Sequence, residues 1–335
     1  MTPEIETPTA NPSSSCAPIL LIGFNRPEFI AAQIEAIRPA KPVRLYLAAN
    51  APRPDKPNEA KACQKVRECV NLVDWECEIK TLFRDKHLSC KYSISSAITW
   101  FFENEESGIV LEDDCRPTLD FLRFASEMLE RYKDDERIGA INGFNYFNLQ
   151  TNASTSYHFS SHMDVWGWAS WRRIWKEYDI ELRQLGGHID EVISNSMMTN
   201  YCKNMFKAWS KALQNGMSTW DVQFSILFLA KRWLSVVPKT RLVANVGIAD
   251  DRASHTGGYV YWSKGWSKAG TLEFPLIHPE EVVCDEAADR LREKMEGAIF
   301  PRGLTWLGAK FPFLCGLMTF IGKVAEKISP FLFRW

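Results

Sequence analysis

The chain lacks most of the signatures that would settle its class at once. Its nine cysteines include no C-x-x-C pair and no Cys/His spacing suited to zinc, and their number is odd. Neither a disulfide framework nor a structural zinc site organises it. Reduced cytoplasmic thiols are the expectation, with Cys16 and Cys115 the candidates for reactive exposure. No run of about 18 apolar residues occurs, so no spanning helix is predicted. The opening MTPEIETPTANPSSS has neither the basic start nor the apolar core of a signal peptide, and residues 1–17 read as a disordered lead-in. No G-x-G-x-x-G follows the first apolar run, which argues against a dinucleotide fold, and there is no G-x-x-x-x-G-K-[ST] phosphate loop. An excess of charge is missing too. The net charge is −1 over 335 residues, so no global basic field draws the protein to nucleic acid.

What is present is a strong alternation of short apolar runs and helical patterns. PILLIGF, from Pro18, reads as a buried first strand, ending at Asn25-Arg26-Pro27. Asn25 is placed to cap a helix whose first turn accepts Pro27 and whose face carries Ile30, Ile34 and Ile37. A second strand spans Val43 to Ala49 and ends at Asn50. A helix follows from Glu59 to Leu72, then a third strand from Glu78 to Arg84. The next helix buries Ile94, Ala97, Ile98, Phe101 and Phe102. Its start gathers Arg84, Lys86, His87 and Lys91, a basic cluster at a helix N-terminus that suits a diphosphate as well as it suits solvent.

The pattern then reaches GIVLEDDCRP, residues 108–117. Ile109, Val110 and Leu111 have the length and branching of a buried strand, and they run straight into Glu112, Asp113 and Asp114. Adjacent carboxylates repel, so folding alone gives no reason to place three of them there. A solvated acidic turn is one reading. The other is a divalent cation, since Mg²⁺ and Mn²⁺ bind through one or two carboxylates together with substrate phosphates. Strands alternating with helices argue for an α/β fold with a mostly parallel, Rossmann-like sheet flanked by helices, whose ligand crevice lies at the carboxyl ends of the strands. A helix from Leu119 to Tyr132 and a strand from Ile138 to Ile141 extend it.

The composition shifts near Asn142. Tyr157 to Tyr178 holds Trp166, Trp168, Trp171 and Trp175, a density that serves a core and equally suits flat, polar-edged ligands such as sugars. A helix is expected from Ile189 to Leu213. In STWDVQFSILFLAKRW, Ser218 or Thr219 is placed to cap and Asp221 falls in the first helical turn, where the helix dipole stabilises it. A strand from Leu234 to Val237 follows. The loop NVGIADDRASHTGG, with its glycines and His255, suits a mobile lid over a ligand. A helix from Pro279 to Gly297 precedes an apolar tail, FPFLCGLMTFIG, bracketed by Lys310 and Lys323. That tail fits an interfacial membrane helix or docking onto the protein's own core or a partner, and both stay open.

Taken in order, FNRPEF, AAN, the basic segment, LEDDCRP, GWASW, TWD and NVGIADDRASHT resemble a GT-A nucleotide-sugar glycosyltransferase over roughly Pro18 to Gly258. The chain looks like the bacterial family 2-like sugar transferases of surface-polysaccharide synthesis. It is more distantly similar to the animal N-acetylglucosaminyltransferase that starts complex N-glycans. The resemblance implies a GT-A fold with residues 18–150 holding the donor, 151–278 the acceptor and lid, and 279–335 a helical tail. It implies a hexosyl- or N-acetylhexosaminyltransferase with Mn²⁺ or Mg²⁺ as cofactor and a glycan or lipid-linked glycan as acceptor. The enzyme would be cytoplasmic, with peripheral contact at the inner face of the membrane left to the tail.

By position, Glu112-Asp113-Asp114 matches the family's DXD motif, with Asp114 on the metal and Asp113 and Glu112 on the ribose and donor sugar. Asn25, Arg26, Arg84, Lys91 and Trp168 would line the donor, and His255 would reach phosphate or metal from the lid. Asn50 stands where relatives often place an aspartate against uracil. An amide oxygen still accepts from a ring N–H, so a UDP-sugar is the expected donor. Asp221 matches the catalytic base of inverting relatives. Two other classes are weighed beside it. A sugar-nucleotide pyrophosphorylase needs a Gly-rich loop after the first strand, which GFNRPEF does not supply. A non-catalytic sugar-binding protein does not need the retained carboxylates.

Overall fold

The computed structural model describes residues 16–149, 152, 154–248, 250, 252 and 265–299. The N-terminal lead-in to residue 15, His255 with most of the expected lid, and the apolar tail lie outside the described residues.

The first half follows the alternating pattern. Strand β1 (Ile19–Gly23) leads into helix α1 (Pro27–Ile37), β2 (Arg44–Ala49) into α2 (Glu59–Glu68), and β3 (Glu78–Phe83) into α3 (Cys90–Asn104), which returns to β4 (Ser107–Glu112). These strands are parallel, in the order β3-β2-β1-β4. Ile19, Leu20 and Leu21 of β1 and Ile109, Val110 and Leu111 of β4 have no exposed surface, because helices cover both faces of a parallel sheet. Asn25 does not cap α1. Arg26 is the N-cap residue with no side-chain cap bond, while the Asn25 amide donates to Glu59 over 3.3 Å. The helix expected to reach Leu72 keeps α-helical geometry to Glu68 and finishes as a tighter 3₁₀ turn, Cys69–Leu72.

After a short β5 (Cys115–Pro117) and α4 (Leu119–Arg131), capped by Thr118 through the Phe121 N–H, the chain enters β6 (Ile138–Asn142). Then come β7 (Tyr157–Ser160), β8 (Trp168–Trp171) and the single turn α5 (Arg172–Trp175). The second half continues with α6 (Ile189–Asn195), α7 (Asn200–Gln214), α8 (Asp221–Lys231), β9 (Leu234–Pro238), β10 (Val243–Asn245) and α9 (Glu286–Ile299).

The central sheet has eight strands in the order β3-β2-β1-β4-β8-β6-β9-β7. β6 does not sit beside β4 as a simple extension. β8 inserts between them, antiparallel to both. β9 pairs in parallel with β6, and β7 closes the far side antiparallel to β9. Four of the seven pairings are parallel, so the architecture is a mixed α/β sheet, mostly parallel, flanked by helices.

Two further expectations change in detail. The segment 189–213 is two helices, because Ser196 at the end of α6 is extended and Thr199 restarts the chain as the N-cap of α7. With α8 they enclose a second small core around Ile193, Phe206 and Ile226. The last described helix starts at Glu286 rather than Pro279. The preceding residues run along β7, where the Asp285 N–H donates to the Phe159 carbonyl over 2.8 Å. Among the described residues no helix is long and apolar enough to cross a membrane. The eight described cysteines are unpaired. Neither Cys16 nor Cys115 is a reactive thiol: burial pushes Cys16 up to about 12 and Cys115 well above its usual range.

Candidate active site

β1, β2, β3 and β4 all point the same way, so Asn25, Asn50, Arg84 and Glu112 arrive at one edge of the sheet. Glu112 is the last residue of β4, and Asp113 and Asp114 form the turn into β5. That turn is held from two sides. The Gln33 amide, buried on α1, donates to the carbonyls of Glu112 and Cys115 over 2.6 and 2.7 Å. β10 pairs antiparallel with β5, Asn245 opposite Cys115, and the Val246 N–H donates to the Asp114 carbonyl over 2.8 Å. Gly247 then passes so close that a Cβ there would lie 2.6 Å from that of Asp114, so only glycine fits.

Arg26 is the cation paired with the triplet among the described residues. Its guanidinium grips Asp113 with two N–H groups, Nε at 3.0 Å, and reaches Asp114 at 3.7 Å. Its Nη1 is buried with no partner. Asp250 adds its charge to this group, and Arg252 joins Asp250 to Glu28 on α1, so the start of the late loop is tied down over Arg26.

The other wall begins at α8. Asp221 opens the helix with Trp220 as the N-cap residue, and neither Ser218 nor Thr219 caps it. The Thr219 hydroxyl instead donates to the Asp221 carboxylate. The Trp220 indole N–H donates to the Glu112 carboxylate over 3.3 Å. Trp220 stacks on Trp168 at 5.9 Å, and the Tyr178 hydroxyl donates to the Trp220 carbonyl over 3.0 Å. The Asp221 turn therefore rests on an aromatic floor whose cost of displacement fixes its position.

The carboxylates feel one another. Glu112 is pushed well above the usual carboxylate range, first by burial and then by the charges of Asp114, Asp221 and Asp113. Asp113 rises to about 6, burial outweighing the pull of Arg26. Asp114 is also raised by burial, against Arg26. The Cys90 thiol at the start of α3 is pushed up to about 12 by burial and by all four acids, which marks it as their shared neighbour. Asp221 and the triplet thus lie within electrostatic reach of one another, bridged by the Trp220 indole.

The remaining expected residues are distributed differently. Asn50 is a clasp: its oxygen accepts from the Leu88 and Ala51 N–H groups, and its amide donates to the Leu88 carbonyl over 2.8 Å, which leaves little to offer a nucleobase. Arg84 donates to the Ser96 hydroxyl over 2.6 Å and borders an open depression of about 270 Å³ with Arg67 and Asp85. Lys91 is paired with Glu181 at 2.8 Å. Trp168 has no exposed surface, so it supports the site from below and does not line it. Gly247 and Asp250 fall in the loop expected to act as a lid, whereas the sequence does not single out Gln33 and Trp220. Gln33 had a signal, a polar residue inside the Ile30/Ile34/Ile37 face.

Among the described residues no three His, Cys, Asp or Glu side chains form a ready-made metal cage. A hard cation bound through one or two carboxylates and a substrate phosphate does not need one. The all-oxygen donors and the orphaned Arg26 Nη1 beside them fit a metal–phosphate pair.

No family model matches the sequence, and no curated protein matches it. Among solved structures, HddC from Yersinia pseudotuberculosis aligns over 48% of this chain and 80% of its own, at 11% identity and a TM-score of 0.32. A UDP-glucose pyrophosphorylase complexed with UDP-glucose aligns over 66% of this chain and 90% of its own, at 8% identity and a TM-score of 0.32. Its apo counterpart aligns over the same shares at a TM-score of 0.29. Likeness at this level carries no argument about what this chain binds.

Proposed function

We propose that the protein is a divalent-metal-dependent glycosyltransferase that moves a sugar from a nucleotide diphosphate to a hydroxyl of a glycan acceptor with inversion. The observation that carries the reading is the meeting of Glu112 and Asp221. They come from distant parts of the chain and are joined through the Trp220 indole, and the charge of Asp221 helps raise Glu112. A concentration of carboxylates with Arg26 as its paired cation is expensive to fold and favours a cationic guest.

On this reading Asp114, with Glu112 beside it, would hold Mn²⁺ or Mg²⁺, and the metal would supply charge neutralisation to the departing diphosphate. The free Nη1 of Arg26 donates to a phosphate oxygen, the second source of leaving-group stabilisation. Asp221 takes the proton from the acceptor hydroxyl. Thr219 fixes one of its oxygens and leaves the other for that work. No second carboxylate is needed as nucleophile.

The test is product analysis with purified protein, Mn²⁺ and a panel of nucleotide sugars. The reading expects slow, metal-dependent release of nucleoside diphosphate and free sugar, accelerated by acceptor. Formation of nucleoside triphosphate and sugar 1-phosphate on adding pyrophosphate would replace it with a pyrophosphorylase. Absence of any turnover or metal-dependent donor binding would reject it.

A further inference from the structure

Joined to the acidic turn stands a group of aromatic rings at the border of the main core, against which Trp166 packs. Phe144, Tyr146, Trp166 and Trp266 touch one another in every pairing, with ring centroids 4.8 to 6.0 Å apart. Phe144 is fully buried, whereas Tyr146, Trp166 and Trp266 each keep exposed surface. Four rings drawn from three separated segments are a large apolar investment at the border of the core, where three of them keep exposed surface.

The cluster is rigidly mounted. Arg241 lies over the Phe144 ring at 4.6 Å and donates to the carbonyls of Tyr146 and Gly265, both over 2.6 Å, so it ties the segment carrying Trp266 to the one carrying Tyr146. Gly167 has φ +72 and lies against Val243, which turns Trp166 away from the buried course of Trp168. The cluster is also connected to the carboxylates. The Asn245 N–H donates to the Trp266 carbonyl over 2.9 Å, and Asn245 is itself paired with Cys115, next to Asp114. The Tyr146 phenol is pushed well above its usual range, first by burial and then by the charge of Asp164, and the Arg292 guanidinium lies over its ring at 4.8 Å.

We infer that Trp166, Trp266 and Tyr146 form the acceptor subsite, a platform for the apolar face of a hexopyranose beside the acidic turn. The inference rests on the glycosyltransferase reading and adds the class of acceptor and the residues that select it. A pyranose has axial C–H groups on its faces and hydroxyls at its rim. It needs flat apolar surface beneath and polar groups at the edge, and preformed rings hold it without an ordering cost.

The test is saturation-transfer NMR on the full chain with methyl glycosides of glucose, galactose, mannose and N-acetylglucosamine, with donor binding measured in parallel by Mn²⁺-dependent titration of a nucleotide sugar. Wild type should transfer saturation to the ring C–H protons of at least one glycoside. Trp166→Ala should reduce that signal several-fold and leave donor binding unchanged. Trp266→Leu, on a segment outside the central sheet, should do the same and covers the case in which Trp166→Ala does not fold. Wild type that binds none of the glycosides, or variants that bind donor and glycoside as wild type does, would overturn the subsite. Loss of donor binding in wild type would instead overturn the underlying reading.

Discussion

The Trp220 indole N–H donates to the Glu112 carboxylate over 3.3 Å, and this contact joins the start of α8 to the end of β4. It places Asp221, the next residue, against the acidic turn, and it is one of the influences that hold down the affinity of Glu112 for its proton.

Asp221→Asn keeps the size and position of the side chain and removes its basicity. Transfer should fall by about 10²- to 10⁴-fold, the range that a general base supplies. Donor binding should stay at the wild-type level. Initial-rate kinetics alongside equilibrium titration separate the two quantities, and a variant that transfers at the wild-type rate ends the role.

Trp220→Phe keeps an aromatic ring on Trp168 and removes the indole donor. A hydrogen bond to the ionised form favours ionisation, so its loss raises Glu112 further. The pH at which metal-dependent donor binding reaches half its maximum should move upward. An unchanged profile would show that Glu112 does not take part.

Glu112→Gln removes one of the mutually repelling charges. The folded state should gain about 0.5–2 kcal/mol near neutral pH while metal-dependent donor binding is lost, as expected where function is held against stability. Thermal unfolding and donor titration of the same sample check both halves.

The acidic turn also fixes a pH dependence. Asp113 titrates at about 6 in the folded chain against 3.8 as its ordinary value, so the native state holds the extra proton between those limits. Its contribution therefore diminishes as pH rises from 3.8 through about 6. A bound cation offsets that repulsion, so added Mn²⁺ should raise the melting temperature more at about pH 7.5 than at about pH 5. Equal gains would mean that the cation binds elsewhere.

Arg26→Met leaves Asp113 buried without its partner. The loss should be about 3–5 kcal/mol near neutral pH, and smaller in acid, where the carboxylates accept protons. Urea unfolding at two pH values measures it.

The parallel half of the sheet was legible because its strands are short apolar runs separated by helical periodicity. The triplet at 112–114 was legible because folding alone does not explain it. The insertion of β8 was not, since WASW carries no local mark of its neighbours or direction. The choice between Trp166 and Trp168 turned on Gly167. In a regular strand residues two apart share a side, and its positive φ breaks that rule. Asn50 and Lys91 matched expected positions, yet their partners at Leu88 and Glu181 are tertiary contacts that no local pattern announces.

The central claim is that the acidic turn holds a cation which in turn holds the donor. Isothermal titration of the full chain with UDP-glucose and UDP-N-acetylglucosamine, with and without Mn²⁺, tests it most directly. The account predicts binding of a donor only with Mn²⁺, retained in Asp221→Asn and lost in Asp114→Ala. Equal affinity with and without Mn²⁺, or an Asp114→Ala variant that binds as wild type does, would contradict it.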